Sequence, residues 1–375
     1  MPILYDFQVQ RPKKEMAQEV LLKWIANAHA QAEASRLGVG LDDPDIQSFH
    51  QKIHDKFYAL GVGEDKIQTR GAALSDYFSD EREIYNLEEN PSGRLLGDRM
   101  KCYDRIISDV FRRFYPEDHH LPSPHLIHVS CTGYVSPSPA QRIVSERRWG
   151  QHVRVTHAYH MGCYASIPAM QIALGNFHAN QEPSDIVHTE FSGLHLNPSL
   201  HTTEQLVIES LFADGFIRYS LGSDKEKGFE ILTVLEEIIP DTVPYMRWRC
   251  AEWGFEMTIS KEVPVMIARY LSGYLERLAK KAGITLNDLS KARYAIHPGG
   301  PKIIHQIAKK LALEPWQFCH SQKILASCGN MSSATLPHVW NEILEDGEVL
   351  PGELIVSLAF GPGLTFAGAL FEKRS

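Results

Sequence analysis

The chain has no apolar run long enough to span a bilayer, and its start, Met1-Pro2-Ile3-Leu4-Tyr5-Asp6, lacks the basic segment and apolar stretch of a targeting leader. These absences predict a cytoplasmic protein that does not insert into a membrane. An excess of positive charge is missing as well. With 38 Lys and Arg against 46 Asp and Glu, the formal net charge is -8, which argues against nucleic acid or an anionic membrane as the main partner. Cysteine is sparse: six, at positions 102, 131, 163, 250, 319 and 328, with no CxxC pair. Neither a disulfide framework nor a zinc knuckle is indicated. No HExxH phrase is present, so the cluster Pro116-Glu117-Asp118-His119-His120 with His125 and His128 reads as a solvated loop, and no metal is expected.

What is present is ordinary globular material. Hydrophobic residues make up 43% and charged residues 22% of 375, enough for one large domain or two of usual size. Residues 15–60 are rich in Ala, Leu, Gln and Lys at helical spacing, and Arg99 to Tyr115 predicts an amphipathic helix stopped by Pro116. Strands are expected at His125–Ser130, Arg154–His160, Asp185–His188 and Phe216–Leu221, with helices at Ile167–Phe177 and Thr203–Phe212 between them. This alternation predicts a layered α/β fold. The polar stretch Gly222 to Gly228 suggests a division into 1–225 and 226–375.

Three phrases carry chemistry: Met161-Gly162-Cys163-Tyr164-Ala165-Ser166, His297-Pro298-Gly299-Gly300-Pro301, and Gly329-Asn330-Met331-Ser332-Ser333-Ala334. A cysteine after glycine at a strand-to-helix turn sits on a tight bend near the positive end of a helix, where a lowered thiol pKa is expected. His297, held by proline and approached through glycines, suits a base or an oxyanion donor. Taken singly, each has a plainer reading: a buried structural cysteine, a turn histidine, a helix N-cap asparagine. The chain order Cys, His, Asn also occurs in papain-like peptidases, but Gly162-Cys163-Tyr164 is not their CGSCW-like phrase. Gly162-Cys163 and Gly329-Asn330 each precede a small-residue helix start, a weak internal echo that would set the two residues face to face.

With Leu211-Phe212-Ala213-Asp214-Gly215 and Phe360-Gly361-Pro362-Gly363-Leu364 added, the phrases from about residue 50 onward resemble the type III polyketide synthases, the chalcone synthase-like branch of the thiolase superfamily. The resemblance implies a thiolase fold, five-layered αβαβα with two pseudo-duplicated halves, and a homodimer in which Pro137 belongs to the interface loop. It implies acyltransferase chemistry by Cys163 as nucleophile with His297 and Asn330. Cys131, His195, Phe212, Met257 and Ser332 would surround the substrate, and Lys56 and Lys302 would hold coenzyme A phosphates. No cofactor is expected beyond the phosphopantetheine of coenzyme A or an acyl carrier protein. Phe212 keeps one of the family's two gatekeeping phenylalanines, while Met257 replaces the other and suggests a cavity for long aliphatic chains. The thinned basic cluster around Lys56 points to the stand-alone ketosynthases of α-pyrone antibiotic biosynthesis, of the myxopyronin and corallopyronin type. These join two β-ketoacyl chains from acyl carrier proteins. Arg112, Arg113, Arg142, Arg147 and Arg148 are the candidate docking patch for an acidic carrier. The rival reading is an iterative synthase that extends an acyl-CoA starter with malonyl-CoA to a pyrone or resorcinol.

Overall fold

The computed structural model describes residues 1–117 and 121–375; Asp118, His119 and His120 of the histidine-rich stretch lie outside the described residues. The first half of the chain runs β1 (Ile3–Gln10), β2 (Lys14–Ala17), α1 (Gln18–Leu37), α2 (Pro44–Leu60), β3 (Thr69–Ala72), α3 (Leu96–Phe114), β4 (His125–Ser130), α4 (Pro139–Glu146), β5 (Arg154–Tyr159), α5 (Ser166–Asn180), β6 (Ser184–Phe191), α6 (Thr203–Glu209) and β7 (Asp214–Gly222). The second runs β8 (Phe229–Ile238), β9 (Met246–Cys250), β10 (Phe255–Ile259), α7 (Val263–Ala282), α8 (Leu286–Ser290), β11 (Arg293–Ile296), α9 (Pro301–Leu311), α10 (Pro315–Cys328), α11 (Thr335–Glu345), β12 (Leu354–Gly361) and β13 (Thr365–Lys373).

Local sequence accounts for several boundaries. In α3 the buried positions Arg99, Cys102, Tyr103, Ile107, Val110, Phe111 and Phe114 recur every three or four residues, so one stripe faces the core. At α4, Ser138 accepts from Gln141 N–H at 3.1 Å, Gln141 Oε1 accepts from Ser138 N–H at 2.9 Å, and Pro139 occupies the first turn. The expected helical run 15–60 is divided: β2 takes its start, and α1 ends at Gly38, which adopts φ +70. Helix α6 stops at Glu209, short of Phe212, because Leu211 to Ala213 enter a backbone bridge with Asn330.

Nine strands form one sheet in the order β11-β12-β13-β8-β1-β7-β6-β4-β5, in which β4 pairs in parallel with both β5 and β6 while β7 is antiparallel. On the other side β11 and β12 are parallel and β13 is antiparallel. Outward from β1 and β8 the directions follow the same pattern. These two strands meet through only two residue pairs, Ile3 with Glu230 and Leu4 with Phe229.

Three apolar clusters define the layers. A central one joins α5 and α11 to inward positions of both sheet parts, such as Ile127, Ile217, Ile355 and Ala369. A second packs α1, α2, α3 and α4 on the far face of β4, β6 and β7. The third packs α7 and α9 on the alternate residues of β11, β12 and β13, such as Val356, Leu358 and Phe366. The alternation of Ile355 and Ala359 inward with Val356 and Leu358 outward is the period of two that a strand between two helix layers requires. The result is the expected αβαβα arrangement. Among the described residues no helix is long and apolar enough to cross a membrane.

Candidate active site

Parallel strands bring the chemical phrases together. Cys131 follows β4, Cys163 follows β5 and Ser192 to His195 follow β6, all at carboxyl ends of parallel neighbours. His297 follows β11, and Pro362 follows its parallel partner β12. Crevices outside such strand ends are where open α/β sheets hold ligands. Here the two sets of ends meet: a Cβ built on Gly162 would lie 2.6 Å from Pro362 Cδ, and one on Gly361 would lie 2.1 Å from the Tyr164 ring. With Gly162 at φ +90, glycine is what lets the nucleophile turn approach the opposite half.

Cys163 sits in a turn between β5 and α5, 7% exposed, on the wall of a cavity. Its Sγ is 3.9 Å from Ser332 Oγ. Burial pushes the thiol up to about 12; the buried carboxyl of Glu190 adds to this, while hydrogen bonds from Ser332 and Asn330 pull the other way. The expectation of a thiol pKa lowered by a helix end is therefore corrected: desolvation outweighs the local dipoles, and no imidazolium stands by. Burial takes His297 down to about 3, so its imidazole rests neutral; His297 and Asn330 are not among the residues that line the cavity.

His297 is anchored by its own backbone, N–H to Leu358 O at 2.7 Å, with Gly299 N–H returning to His297 O at 2.8 Å. Its ring is 1% exposed, and neither Nδ1 nor Nε2 has a partner among the described residues. Two unused ring nitrogens in the interior are costly unless something else uses them. Asn330 is not the N-cap of α11, a place taken by Ala334. Its Oδ1 accepts from Ser332 N–H at 2.9 Å and from Thr335 Oγ1 at 3.3 Å, which fixes the carboxamide beside the thiol. The main chain of Asn330 is bonded on both sides to the phrase that holds Phe212, through Leu211 O at 3.0 Å and Ala213 N–H at 2.9 Å.

The same cavity is lined by Cys131, His195, Phe212, Met257 and Ser332, all anticipated from the sequence. His195 has no polar group to spare: Nε2 lies 2.8 Å from Thr132 O, and Nδ1 receives Phe255 N–H at 3.1 Å. Its ring stacks on Phe255 with centroids 4.5 Å apart, so it offers a flat wall. The hairpin β9–β10 supplies Met246, Trp248, Phe255 and Met257 to one side of the cavity, clamped by Trp248 Nε1–H donating to Cys131 O at 2.6 Å. Of this hairpin the sequence singled out Met257 alone. Another unanticipated residue is Glu190, whose buried carboxylate accepts from Cys131 N–H at 3.0 and 3.2 Å, from Thr132 Oγ1 at 3.0 Å and from Ser333 Oγ. Burial raises it to about 7. β6 is polar at Ser184, Asp185, His188 and Thr189 as well, so no local pattern marked Glu190.

Lys56 on α2 and Lys302 at the start of α9 are exposed, and neither lines the cavity. The arginine patch is largely spoken for. Arg112 pairs with Asp109 and Glu146 at 2.6 and 2.8 Å, Arg142 with Asp104 at 2.7 Å, and Arg147 with Glu117 at 3.3 Å. Intramolecular carboxylates thus neutralise three of the five guanidiniums expected to receive an acidic carrier. His125 bonds Ser184 and Thr156, and His128 bonds Thr189 and Tyr159, so both face neighbouring side chains inside the sheet. Among the described residues no group of three metal-ligating side chains occurs, and all six cysteines are free.

Residues 230–374 match the family described as chalcone and stilbene synthases, C-terminal domain. "Type III polyketide synthase B" of Arabidopsis thaliana is 28% identical over 225 residues, covering 56% of this chain and 57% of that protein. "Probable polyketide synthase 1" of Dictyostelium discoideum is 26% identical over 259 residues, 66% of this chain but 8% of that protein. The match thus spans little more than half of the plant relative. The C-terminal type III polyketide synthase domain of Steely1, a type I/III hybrid from Dictyostelium, superposes with a TM-score of 0.81 at 21% identity, covering 100% of this chain and 99% of that one. For 1,3,6,8-tetrahydroxynaphthalene synthase of Streptomyces coelicolor A3(2) the TM-score is 0.78 at 22% identity, with coverage of 100% and 99%. These structures fix the fold.

Proposed function

We propose that this chain, which the comparisons support as a chalcone synthase-like protein of the type III polyketide synthase family, is an acyltransferase-class condensing enzyme. Cys163 carries an acyl chain as a thioester, and a second thioester supplies the carbon nucleophile that attacks it. The observation carrying this reading is a cavity-wall thiol whose charged form is favoured by hydrogen bonds from Ser332 and Asn330, and it is supported by a buried histidine, His297, at a strand end of the second half, whose two ring nitrogens are unused.

The chemistry follows from the groups present. The thiol loses its proton and attacks the starter thioester, and the departing thiol takes a proton. The malonyl group of the second thioester loses carbon dioxide, and the electron pair of the broken carbon–carbon bond becomes an enolate whose oxygen accepts hydrogen bonds from His297 and Asn330 in a site where water is excluded. Attack of the enolate carbon on the acyl-cysteine forms the new carbon–carbon bond and returns the thiolate. A neutral imidazole suits this role, because it donates an N–H without needing to be charged.

Iterative extension of an acyl thioester by malonyl units, closing to a pyrone or resorcinol, is the form of the activity we favour, since the docking patch for a carrier protein is internally paired. Joining of two preformed β-ketoacyl chains from carrier proteins to an α-pyrone is the rival. A homodimer, with Pro137 in the contact loop, belongs to the same proposal.

Incubation with acyl-CoA and malonyl-CoA, followed by intact-protein and product mass spectrometry, separates these. Multi-step extension from free coenzyme A thioesters is expected. Products formed only when both chains arrive on carrier proteins would favour the two-chain reaction. An acyl adduct that persists in Cys163→Ala would overturn the nucleophile assignment.

A further inference from the structure

The turn that carries Cys163 does not support itself. Cys131 and His160 are the first residues past the paired ends of β4 and β5, where Ser130 stands opposite Tyr159. From there the chain enters left-handed conformations at His160, φ +61, and again at Gly162, φ +90. For a residue larger than glycine such a conformation persists where the surroundings hold it.

What holds it comes from outside the turn. Gly162 N–H donates to Cys131 Sγ at 3.0 Å, and the Cys131 thiol donates to Gly162 O at 3.4 Å, so one side chain takes both main-chain polar groups of the residue before the nucleophile. His160 Nε2–H donates to Trp248 O at 3.0 Å, and its ring stands edge-on to Phe255 with centroids 5.5 Å apart. Trp248 closes the circuit, since its Nε1–H donates to Cys131 O at 2.6 Å. Cys131 is itself anchored: its N–H is bonded to both carboxylate oxygens of Glu190, at 3.0 and 3.2 Å. Burial raises its thiol well above the ordinary range, with Glu190 and Cys163 adding to this, so the sulfur keeps the proton that it donates. A sulfur engaged in this way is a poor second nucleophile, although it lines the same cavity as Cys163.

We propose that Cys131 and His160 are positioning residues: joined through Trp248, they fix the Gly162 turn so that the Cys163 thiol faces an incoming thioester. The hairpin β9–β10 that walls the cavity and the turn that carries the nucleophile are then one bonded unit. This gives Cys131 a role beyond the place on the substrate wall that the family resemblance implied. The inference rests on the condensing-enzyme reading, because it takes acylation of Cys163 as the step that the positioning serves.

The test uses the whole protein and one acyl N-acetylcysteamine thioester at graded concentrations, with acylation of Cys163 followed by intact mass and peptide mapping. Cys131→Ala removes the sulfur, and Cys131→Ser matches alanine closely in size while restoring a hydrogen-bonding group. Alanine should lower the maximal acylation rate about 10- to 10²-fold, the cost of misplacing a reacting group by up to about 1 Å. The half-saturating concentration should move by less than about twofold, as for a group that acts on the step rather than on binding. Serine should recover most of the loss. His160→Asn keeps a residue suited to the left-handed conformation but is too short to reach Trp248 O, and it should slow the maximal rate in the same way. This second variant decides the matter where Cys131→Ala does not fold. A wild-type maximal rate in either the alanine or the asparagine variant overturns the proposal, as does an equal loss with alanine and serine. If the thioester does not acylate Cys163 in the wild type, the condensing reading itself fails and this inference falls with it.

Discussion

Phe212 and Asn330 are joined by a parallel backbone bridge, although one ends a loop of the first half of the chain and the other follows a helix of the second. The bridge holds the main chain of Asn330 against Phe212, which lines the cavity. Cys163 meets this assembly from the other side through Ser332. Main-chain bonds thus fix Asn330 to the phrase that carries Phe212, while the Ser332 hydroxyl reaches the thiol from the same loop.

In the proposed reaction His297 would hold an oxygen of the second thioester. His297→Gln should leave acylation of Cys163 detectable by intact mass and lower product formation about 10²- to 10³-fold, the usual cost of losing one oxyanion donor. Product formation at the wild-type rate would remove His297 from the condensation step.

Met257 faces the cavity from β10 as an adaptable side chain. Met257→Phe replaces it with a stiff ring. Acylation by the longest accepted thioesters should fall about tenfold, with short chains little affected. Competition between two chain lengths, read by intact mass, measures this directly. An unchanged length preference would exclude Met257 as a determinant.

Gly162 turns the chain into the nucleophile at φ +90, with Pro362 where a side chain would go. Gly162→Ala should cost about 1–3 kcal/mol from backbone strain alone, before the clash is added. A lower Tm together with slower loading of Cys163 is the expected pair of results. Loading at the normal rate in the alanine variant would show that the turn tolerates the substitution.

Acid should destabilise the protein. His188, His195 and His297 are buried and neutral, lowered to about 3, with His338 lowered to about 4. Their stabilising contribution is fully present above the unfolded value of about 6.5 and is lost as pH falls toward the folded values, because the unfolded chain binds protons that the folded one refuses. Glu190 and Asp214, raised to about 7, act in the opposite sense between about 4.5 and 7, favouring the fold as they protonate. Four histidines against two carboxyls predict a Tm that falls from pH 6.5 toward pH 4. Calorimetry across that range checks the sign, and a Tm rising with acid would show the carboxyl groups in control.

The sequence by itself determined the layered α/β class, the strands β4, β5 and β6, and the phrases around Cys163, His297 and Asn330. Strand alternation, glycine before a turn and proline after a histidine are local patterns that survive burial. It determined as well that Phe212 and Met257 belong to one cavity, through the resemblance of their surroundings to a known family. Only the tertiary structure decided that burial raises the Cys163 thiol and keeps the His297 imidazole neutral, because desolvation depends on what packs around a group rather than on its neighbours in the chain. The structure alone found β1, whose pairing with both β7 and β8 joins the two parts of the sheet. It also revealed that Arg112, Arg142 and Arg147 of the arginine patch pair with acidic residues more than twenty positions away. Arg70, too, reads in the sequence as one arginine among many. Its burial among Gln18, Glu209 and Asp214 exists only once β3, α1, α6 and β7 have been brought together.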